Sequence, residues 1–364
     1  MNGLSRADGR CRNFHPVARS PFLISSTHPR QEPHDPQHLV HPTVRTSNLL
    51  NAGQHTKGIL FVTTNQWRSR FWEEARTRSK VLLRALPTKW LRRILFMRAH
   101  HSWLSFSNPI SFNEKVNWRM VFDRRESLAW TCDKLSMKEE AAERSCDIRI
   151  PRTLWSGQDL GELKSFDFPH RWVLKPNHGS QQVLLGEGNP DIERLKFQTD
   201  SWLDTYIGAE RGEWAYTFAR PLYLLEEWIG DEEEPPVDYK FFAFDGVVRT
   251  IQVDTDRFGT HGVAFYSPDW ELLQVSKTLH SGAPGIERPE HLTTMIAAAE
   301  RIAADFDFMR VDLFDTPNGV FFGETTPYPG SGLSPFAPKS FDYLLGSYWQ
   351  LPPLGSKASV QDKL

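Results

Sequence analysis

Two pairs of short apolar runs, each pair broken by a two-residue turn, constrain this chain more than any other feature. Tyr239–Phe244 and Val247–Val253 flank Asp245-Gly246, and Phe308–Phe314 and Gly319–Glu324 flank Pro317-Asn318. Asp-Gly readily takes the positive-φ turn that matches strand twist, so each pair predicts a β-hairpin. Between the hairpins, Thr293–Asp305 reads as an amphipathic, Ala-rich helix. Arg171–Lys175 and Leu222–Glu227 read as two earlier short strands. Helices mixed with hairpins, rather than a regular β-α-β alternation, predict an α+β fold with largely antiparallel sheets in the second half.

Upstream the pattern is helical. Ser111 with Glu114 three residues later makes a capping box, and Asp133 opens a helix running through Glu143. Residues 68–99 place Trp72, Val81, Leu82, Trp90, Leu91, Ile94 and Leu95 at helical steps, with Pro87 dividing two helices. Their polar sides are crowded with arginine and lysine, Arg92 among them. Such a segment can lie on an anionic membrane surface as a peripheral contact, or dock on its own domain with a solvated basic face; the second is the default for surface charge. Residues 1–57 are rich in Pro, His, Ser and Arg without periodicity, and are expected to be disordered or to precede the true start. The domain map is therefore a leader at 1–57, a basic helical region at 58–107, an N-terminal part of the main domain at 108–170, its core at 171–350 and a tail at 351–364.

Composition excludes several classes. A net charge of −2 gives no bulk attraction to nucleic acid. Cys11, Cys132 and Cys146 form neither a zinc spacing nor a disulfide framework. No stretch approaches the roughly 20 apolar residues of a membrane span, and the N-terminus lacks a signal peptide's apolar centre, so a cytoplasmic location is expected.

Four blocks carry chemistry. Trp172-Val-Leu-Lys175-Pro-Asn-His178-Gly179-Ser180 delivers a lysine at a strand end, then small residues whose amides can approach phosphate. Glu226-Glu227-Trp228-Ile229 ends an apolar strand, where a carboxylate or backbone carbonyl can accept from a purine amino group. Lys240 lies in an otherwise apolar strand and needs an anionic partner. The strongest block is Arg310-Val-Asp312 followed by Gly323-Glu324-Thr-Thr326 and Gly330-Ser-Gly332. Paired strands would bring Asp312 and Glu324 together, and Mg²⁺ takes such oxygen ligands beside phosphate. The glycine loop is suited to close approach of an anion.

In these blocks the chain resembles the ATP-grasp superfamily, and more closely the TupA-like (teichuronopeptide-biosynthesis-type) family, from about Asn108 to Trp349. Further marks are Ser111-Phe-Asn-Glu-Lys115, Asp133-Lys134, Asp238-Tyr-Lys240 and Asp256-Arg257. The resemblance implies two α+β subdomains clasping ATP. It implies that Lys134 and Lys175 contact phosphate, that His178, Gly179 and Ser180 form a lid, and that Glu226, Glu227, Trp228 and Ile229 hold adenine. Lys240 would approach the phosphates or the acyl group, and Arg257 would stabilise an acyl phosphate. Asp312, Glu324 and Thr326 would ligate Mg²⁺. The implied reaction activates a carboxylate with ATP for attack by an amine, on precursors of a cell-surface polymer such as an acidic sugar or peptide. Two positions depart from the pattern: Gln181 follows Ser180 where glycine is common, and Thr326 stands where asparagine is common.

Two other readings compete. Asp254-Thr-Asp256 is an Asp-x-Asp pattern of the kind glycosyltransferases use to hold a metal and a sugar nucleotide, although no Rossmann-like half accompanies it. A non-catalytic nucleotide-binding module would account for the changes at Gln181 and Thr326.

Overall fold

The computed structural model describes residues 86–180, 182–204, 208, 211–230, 235–255, 262–277 and 286–353. All belong to one compact unit. The expectations for residues 1–57, for the basic segment before Leu86, for Gln181, and for Asp256 and Arg257 fall outside these residues.

Helix α1 (Thr88–His100) begins directly after Pro87, whose fixed φ suits a helix start and whose carbonyl accepts from Trp90 N and Leu91 N. Helix α2 (Phe112–Phe122) carries the capping box read from the sequence: Ser111 accepts from Glu114 N, and the Glu114 carboxylate accepts from Ser111 N at 3.0 Å. Helix α3 (Lys134–Arg144) is capped by Asp133, which accepts from Ser136 N at 3.0 Å.

Next come strands β1 (Thr153–Gly157), β2 (Arg171–Pro176) and β3 (Leu184–Glu187), helix α4 (Ile192–Gln198) and strand β4 (Tyr223–Glu227). These strands form an antiparallel sheet in the order β1-β4-β2-β3. Its core is Leu160, Leu163, Trp172, Leu174, Leu195 and Leu225.

The second sheet is built from β5 (Asp238–Phe244), β6 (Val247–Thr255), β7 (Gly262–Tyr266) and β8 (Leu272–Leu273), joined later by β10 (Phe308–Thr316) and β11 (Gly319–Thr326). Its order is β11-β10-β5-β6-β7-β8, antiparallel throughout. Both expected hairpins are present, and Asp245 and Gly246 both take positive φ, at 47° and 72°. A short strand β9 (Ser276–Lys277) pairs with β12 (Phe336–Ala337). Helix α5 (Leu292–Ala303) buries Met295, Ile296, Ala299 and Ile302, and α6 (Lys339–Tyr348) closes the domain.

An aromatic cluster locks α2 to the second sheet. The Phe112 ring meets Phe308 at 5.0 Å, Phe242 at 5.8 Å and Trp349 at 5.7 Å between centroids. The rest of the Ser111–Lys115 block is structural too. Asn113 N and Nδ2 both donate to Asp342 Oδ1, and Lys115 Nζ donates to the Gly346 and Trp349 carbonyls at the end of α6.

Helix α1 docks on its own domain, as the default reading expects, but its basic face is not wholly solvated. Arg92 is fully buried. Its guanidinium donates to Asn117 Oδ1 at 2.7 Å, to the Arg211 carbonyl at 2.9 Å and to the Ser331 carbonyl. Helical spacing alone could not separate this arginine from its exposed neighbours, because its acceptors lie 25, 119 and 239 residues away. No described helix is long and apolar enough to cross a membrane.

Candidate functional site

Alternation puts Asp238, Lys240 and Phe242 on one face of β5, with Gln252 and Asp254 beside them on β6. Across β10, Asp312 is opposite Lys240 and Arg310 opposite Phe242. On β11, Glu324 is opposite Asp312 and Thr326 opposite Arg310. One sheet face therefore carries a polar stripe across four strands.

A bulge makes this register. Leu313 pairs with Phe322 while Asp312 pairs with Glu324, so Gly323 is the extra residue. A Cβ at Gly323 would stand 2.8 Å from the Asp312 carbonyl oxygen, closer than real Cβ atoms come, so the position needs glycine. Without the bulge, Glu324 would share a face with Phe322 instead of Asp312.

Lys240 is buried and bonded to Asp238, with Asp254 Oδ2 at 2.8 Å. Burial alone would lower its pKa, but Asp238, Asp312 and Asp254 together raise it. The anionic partner expected from the sequence is thus a pair of aspartates. Asp254 also accepts from Gln252 Nε2 at 2.6 Å. Despite burial, Lys240 and Gln252 hold its carboxyl below the usual range. Asp254, the first acid of the Asp-x-Asp pattern, serves here as a counter-ion to Lys240.

Arg310, which the sequence reading left without a role, is the cation between the paired acids. It donates to Asp312 at 2.7 and 2.6 Å, to Thr326 Oγ1 at 3.0 Å and to Glu324 Oε1 at 3.4 Å. Its position two residues before Asp312 on a strand was the available signal. Burial pushes the Asp312 carboxyl up to about 7, with Asp238 and Glu324 adding like-charge repulsion and Arg310 and Lys240 opposing them.

The donor set suits magnesium. Asp312, Glu324 and Thr326 all offer oxygen, and two carboxylates leave room for phosphate ligands. Four carboxylates, Asp238, Asp254, Asp312 and Glu324, share this stripe with Lys240 and Arg310. Thr326 supplies a hydroxyl where asparagine would supply an amide oxygen, so the set stays all-oxygen.

A second cluster lies on the first sheet. Glu226 is buried, and its carboxylate lies 2.6 Å from both Lys138 Nζ and Lys175 Nζ. Lys138 also donates to Thr153 Oγ1 at 2.8 Å. Although burial favours the neutral acid, the two lysines hold Glu226 below the usual carboxylate range. Lys134 donates to the Gly179 carbonyl at 2.5 Å. Burial lowers its pKa, Glu324 opposes the shift and Lys175 adds to it. Helix α3 thus aims Lys134 and Lys138, one turn apart, at the first sheet, and Lys134 lies within electrostatic reach of Glu324 on the second. Lys138 escaped the sequence reading, although it sits four residues after Lys134.

The adenine expectation is narrowed. Glu226 is engaged by lysines, and Glu227 accepts from Arg152 Nε at 2.7 Å and Arg152 N at 2.9 Å. Both carboxylates thus have basic partners within the chain. The Glu227 amide already donates to the Arg152 carbonyl. Trp228 lies beside the Arg171 guanidinium, 5.6 Å from its ring centre, and Ile229 follows it.

The expected lid is partly interior. His178 is buried, and burial, reinforced by the Lys134 charge, lowers its pKa. Gly179 is buried and Ser180 half-buried. Asp133 holds the block in place: it accepts from Asn177 Nδ2 at 2.7 Å and from the Arg220 guanidinium at 2.9 and 2.6 Å.

The Gly330-Ser331-Gly332 loop is also reassigned. Ser331 is buried at positive φ and donates to Glu213. Its carbonyl and that of Gly332 accept from Arg92, Asn117 and His100. The Ser331 and Leu333 amides bond within the turn. The loop is a pinned corner of the fold rather than an open anion cradle.

An oxygen-rich acidic stripe on the second sheet thus stands near buried lysines that α3 aims at the first. Residues 114–350, more than half of the chain, match the family described as TupA-like ATPgrasp. The chain belongs to the TupA-like ATP-grasp family, and its fold is the ATP-grasp fold. None of the curated proteins compared with it matches.

Among solved structures it is similar to the ATP-grasp ligase PsnB complexed with minimal precursor, at 13% identity and TM-score 0.31, covering 56% of this chain and 54% of that one. It is similar to D-alanine–D-alanine ligase from Bacillus anthracis complexed with ATP, at 17% and 0.32, covering 55% of each. It is similar to D-alanine–D-alanine ligase from Helicobacter pylori, at 12% and 0.38, covering 68% and 69%. The chain spans about half the length of the first two.

Proposed function

We propose that this protein is an ATP- and Mg²⁺-dependent carboxylate–amine ligase that works through an acyl phosphate. The observation that carries this reading is the polar stripe, where Asp312, Glu324, Thr326, Arg310 and Lys240 converge on one sheet face. Helix α3 sets Lys134 within electrostatic reach of it.

Asp312, Glu324 and Thr326 would hold Mg²⁺, which when bound neutralises charge on the ATP phosphates. Lys134, Lys138 and Lys175 bind the nucleotide phosphates as point charges. Backbone groups of residues 226–229 receive adenine. Lys240 and Arg310 face the phosphoryl group in transfer and offset the charge spread over its oxygens. The amine then attacks the acyl carbon, an amide bond forms and phosphate leaves. Positioning and charge compensation suffice, so no covalent enzyme nucleophile is required. The acid and amine are assigned to the precursors of a cell-surface polymer, on the family resemblance alone.

The test is calorimetry of ATP binding to the full chain with and without Mg²⁺, with UDP-glucose beside it, followed by hydroxylamine capture of acyl phosphate. ATP binding that requires Mg²⁺ and is lost in both Lys175→Ala and Glu324→Ala is expected. Binding of UDP-glucose instead, unchanged in those variants, would overturn the ligase reading in favour of sugar transfer.

A further inference from the structure

One cation on the polar face has no part in the chemistry above. Lys277 belongs to β9, outside the six-stranded sheet, yet it reaches back over it. Its ammonium lies 5.8 Å from the Phe265 ring centre and 6.0 Å from that of Phe336. It donates to Gln252 Oε1 at 2.7 Å. The Gln252 amide is fixed the right way round, because its Nε2 donates to Asp254 Oδ1 at 2.6 Å. Lys240 takes the other oxygen of Asp254.

Among the described residues, Gln252 Oε1 is the sole hydrogen-bond acceptor for Lys277, and no carboxylate lies within ion-pair distance. An ammonium carries three donors. Lys277 is half-buried, so the donors that Gln252 does not use remain within reach of an arriving anion. Burial lowers the Lys277 pKa to about 8; Asp254 opposes this, and the Arg310 and Lys240 charges reinforce it. At this end of the stripe the Asp238 and Asp254 carboxylates are engaged by Lys240 and Gln252 rather than by Lys277.

Position decides which anion. Along the face the order is Glu324, Asp312, Lys240, Gln252, then Lys277. The proposed nucleotide lysines and Mg²⁺ ligands lie toward the Glu324 end. In phosphoryl transfer, the attacking oxygen stands opposite the leaving one, so the acceptor lies beyond the transferred group. Beyond Lys240, away from the nucleotide, stands Lys277.

We infer that Lys277, oriented by Gln252, binds the carboxylate of the acid substrate and so marks the acid subsite on the β6 side of Lys240. This deepens the ligase reading and rests on it. The subsite takes a small anionic carboxylate and excludes a neutral ester or amide.

The test is calorimetric titration of malonate into the full-length protein loaded with Mg²⁺ and the non-hydrolysable nucleotide AMP-PNP. Lys277→Met keeps the side chain's bulk over Phe265 and Phe336 without the charge, and Lys277→Arg restores the charge. Malonate affinity is expected to fall by about tenfold or more in K277M and to return to within about threefold in K277R, as for loss and rescue of a charge-assisted bond. Affinity for Mg²⁺–AMP-PNP is expected to be equal in all three proteins. Wild-type protein that binds no malonate, or K277M that binds it as well as wild type, overturns the inference with the nucleotide site intact. Weaker Mg²⁺–AMP-PNP binding in K277M also overturns it, by assigning Lys277 to phosphate. Failure of wild type to bind the nucleotide at all would fall instead on the ligase reading.

Discussion

Glu226 is the residue whose removal the structure translates most directly into a number. Glu226 is 3% exposed, and among the described residues its carboxylate is the only acid within ion-pair distance of two ammonium groups, each 2.6 Å away. Glu226→Gln keeps the shape and removes the charge. Breaking a buried ion pair from one side costs about 3–5 kcal/mol, because the other charge stays behind unpaired. Lys138, 9% exposed, cannot escape to water, whereas Lys175, at 20%, can in part, so the second pair adds little. A loss of about 3–4 kcal/mol is therefore expected, or about 6–16 °C in Tm for a domain of this size. If the two lysines hold ATP phosphates, the ligand supplies the missing negative charge. Saturating Mg²⁺–ATP should then raise the Tm of the variant more than that of wild type. The assay is urea denaturation and thermal melting with and without nucleotide. A variant within about 0.5 kcal/mol of wild type would show that Glu226 does not balance those charges. A variant destabilised as expected but not rescued by nucleotide would remove Lys138 and Lys175 from the phosphate site.

Three further outcomes are expected. Gly323→Ala must push a methyl group against the Asp312 carbonyl and should cost about 1–3 kcal/mol; calorimetry should show weakened Mg²⁺-dependent ATP binding. Phe112→Ala should cost about 3–5 kcal/mol in denaturant titration by emptying the aromatic cluster, with ATP affinity unchanged. Burial holds the Glu213 carboxyl up at about 7, against opposing bonds and charges from Ser331, Arg92 and Arg211. The folded state therefore keeps this proton while the unfolded chain loses it, so stability falls as pH rises from about 4.5 to about 7. Unfolding free energies measured across that range should lose this slope in Glu213→Gln.

Local pattern carried much of this structure. Both hairpins, the Ser111 capping box and the Asp133 cap are set by neighbours in sequence, and all are present as read. That the strands of Asp312 and Glu324 pair was also legible, but the turn alone would set Gly323 opposite Asp312, and only the bulge brings Glu324 there. What escaped depends on distant partners. Arg92 shows helical spacing like its solvated neighbours, and only acceptors brought in from three other segments explain its burial. The glycine loop has a composition that fits either an anion cradle or a tight corner, and contacts with α1 and α2 decide for the corner. Lys277 gives no local signal at all, because its meaning comes from Gln252, 25 residues earlier on another strand. The first sheet places β4 between β1 and β2, an order that alternation within single strands does not encode.

The extra residue at Gly323 also acts as a phase shifter. Up to Phe322, β11 keeps one beat of in-and-out alternation; from Glu324 onward it keeps the opposite beat. The two halves of the hairpin are thereby decoupled. The outer half, from the Pro317-Asn318 turn to Phe322, can be tuned for packing, while the inner half answers to the reaction. Straightening the strand with every residue kept, so that Gly323 itself paired with Asp312, would leave the turn and the length of β10 in place. It would also turn Glu324 and Thr326 to the opposite face together and swing Thr325 round in their stead, removing from the polar stripe the two β11 side chains proposed to hold Mg²⁺.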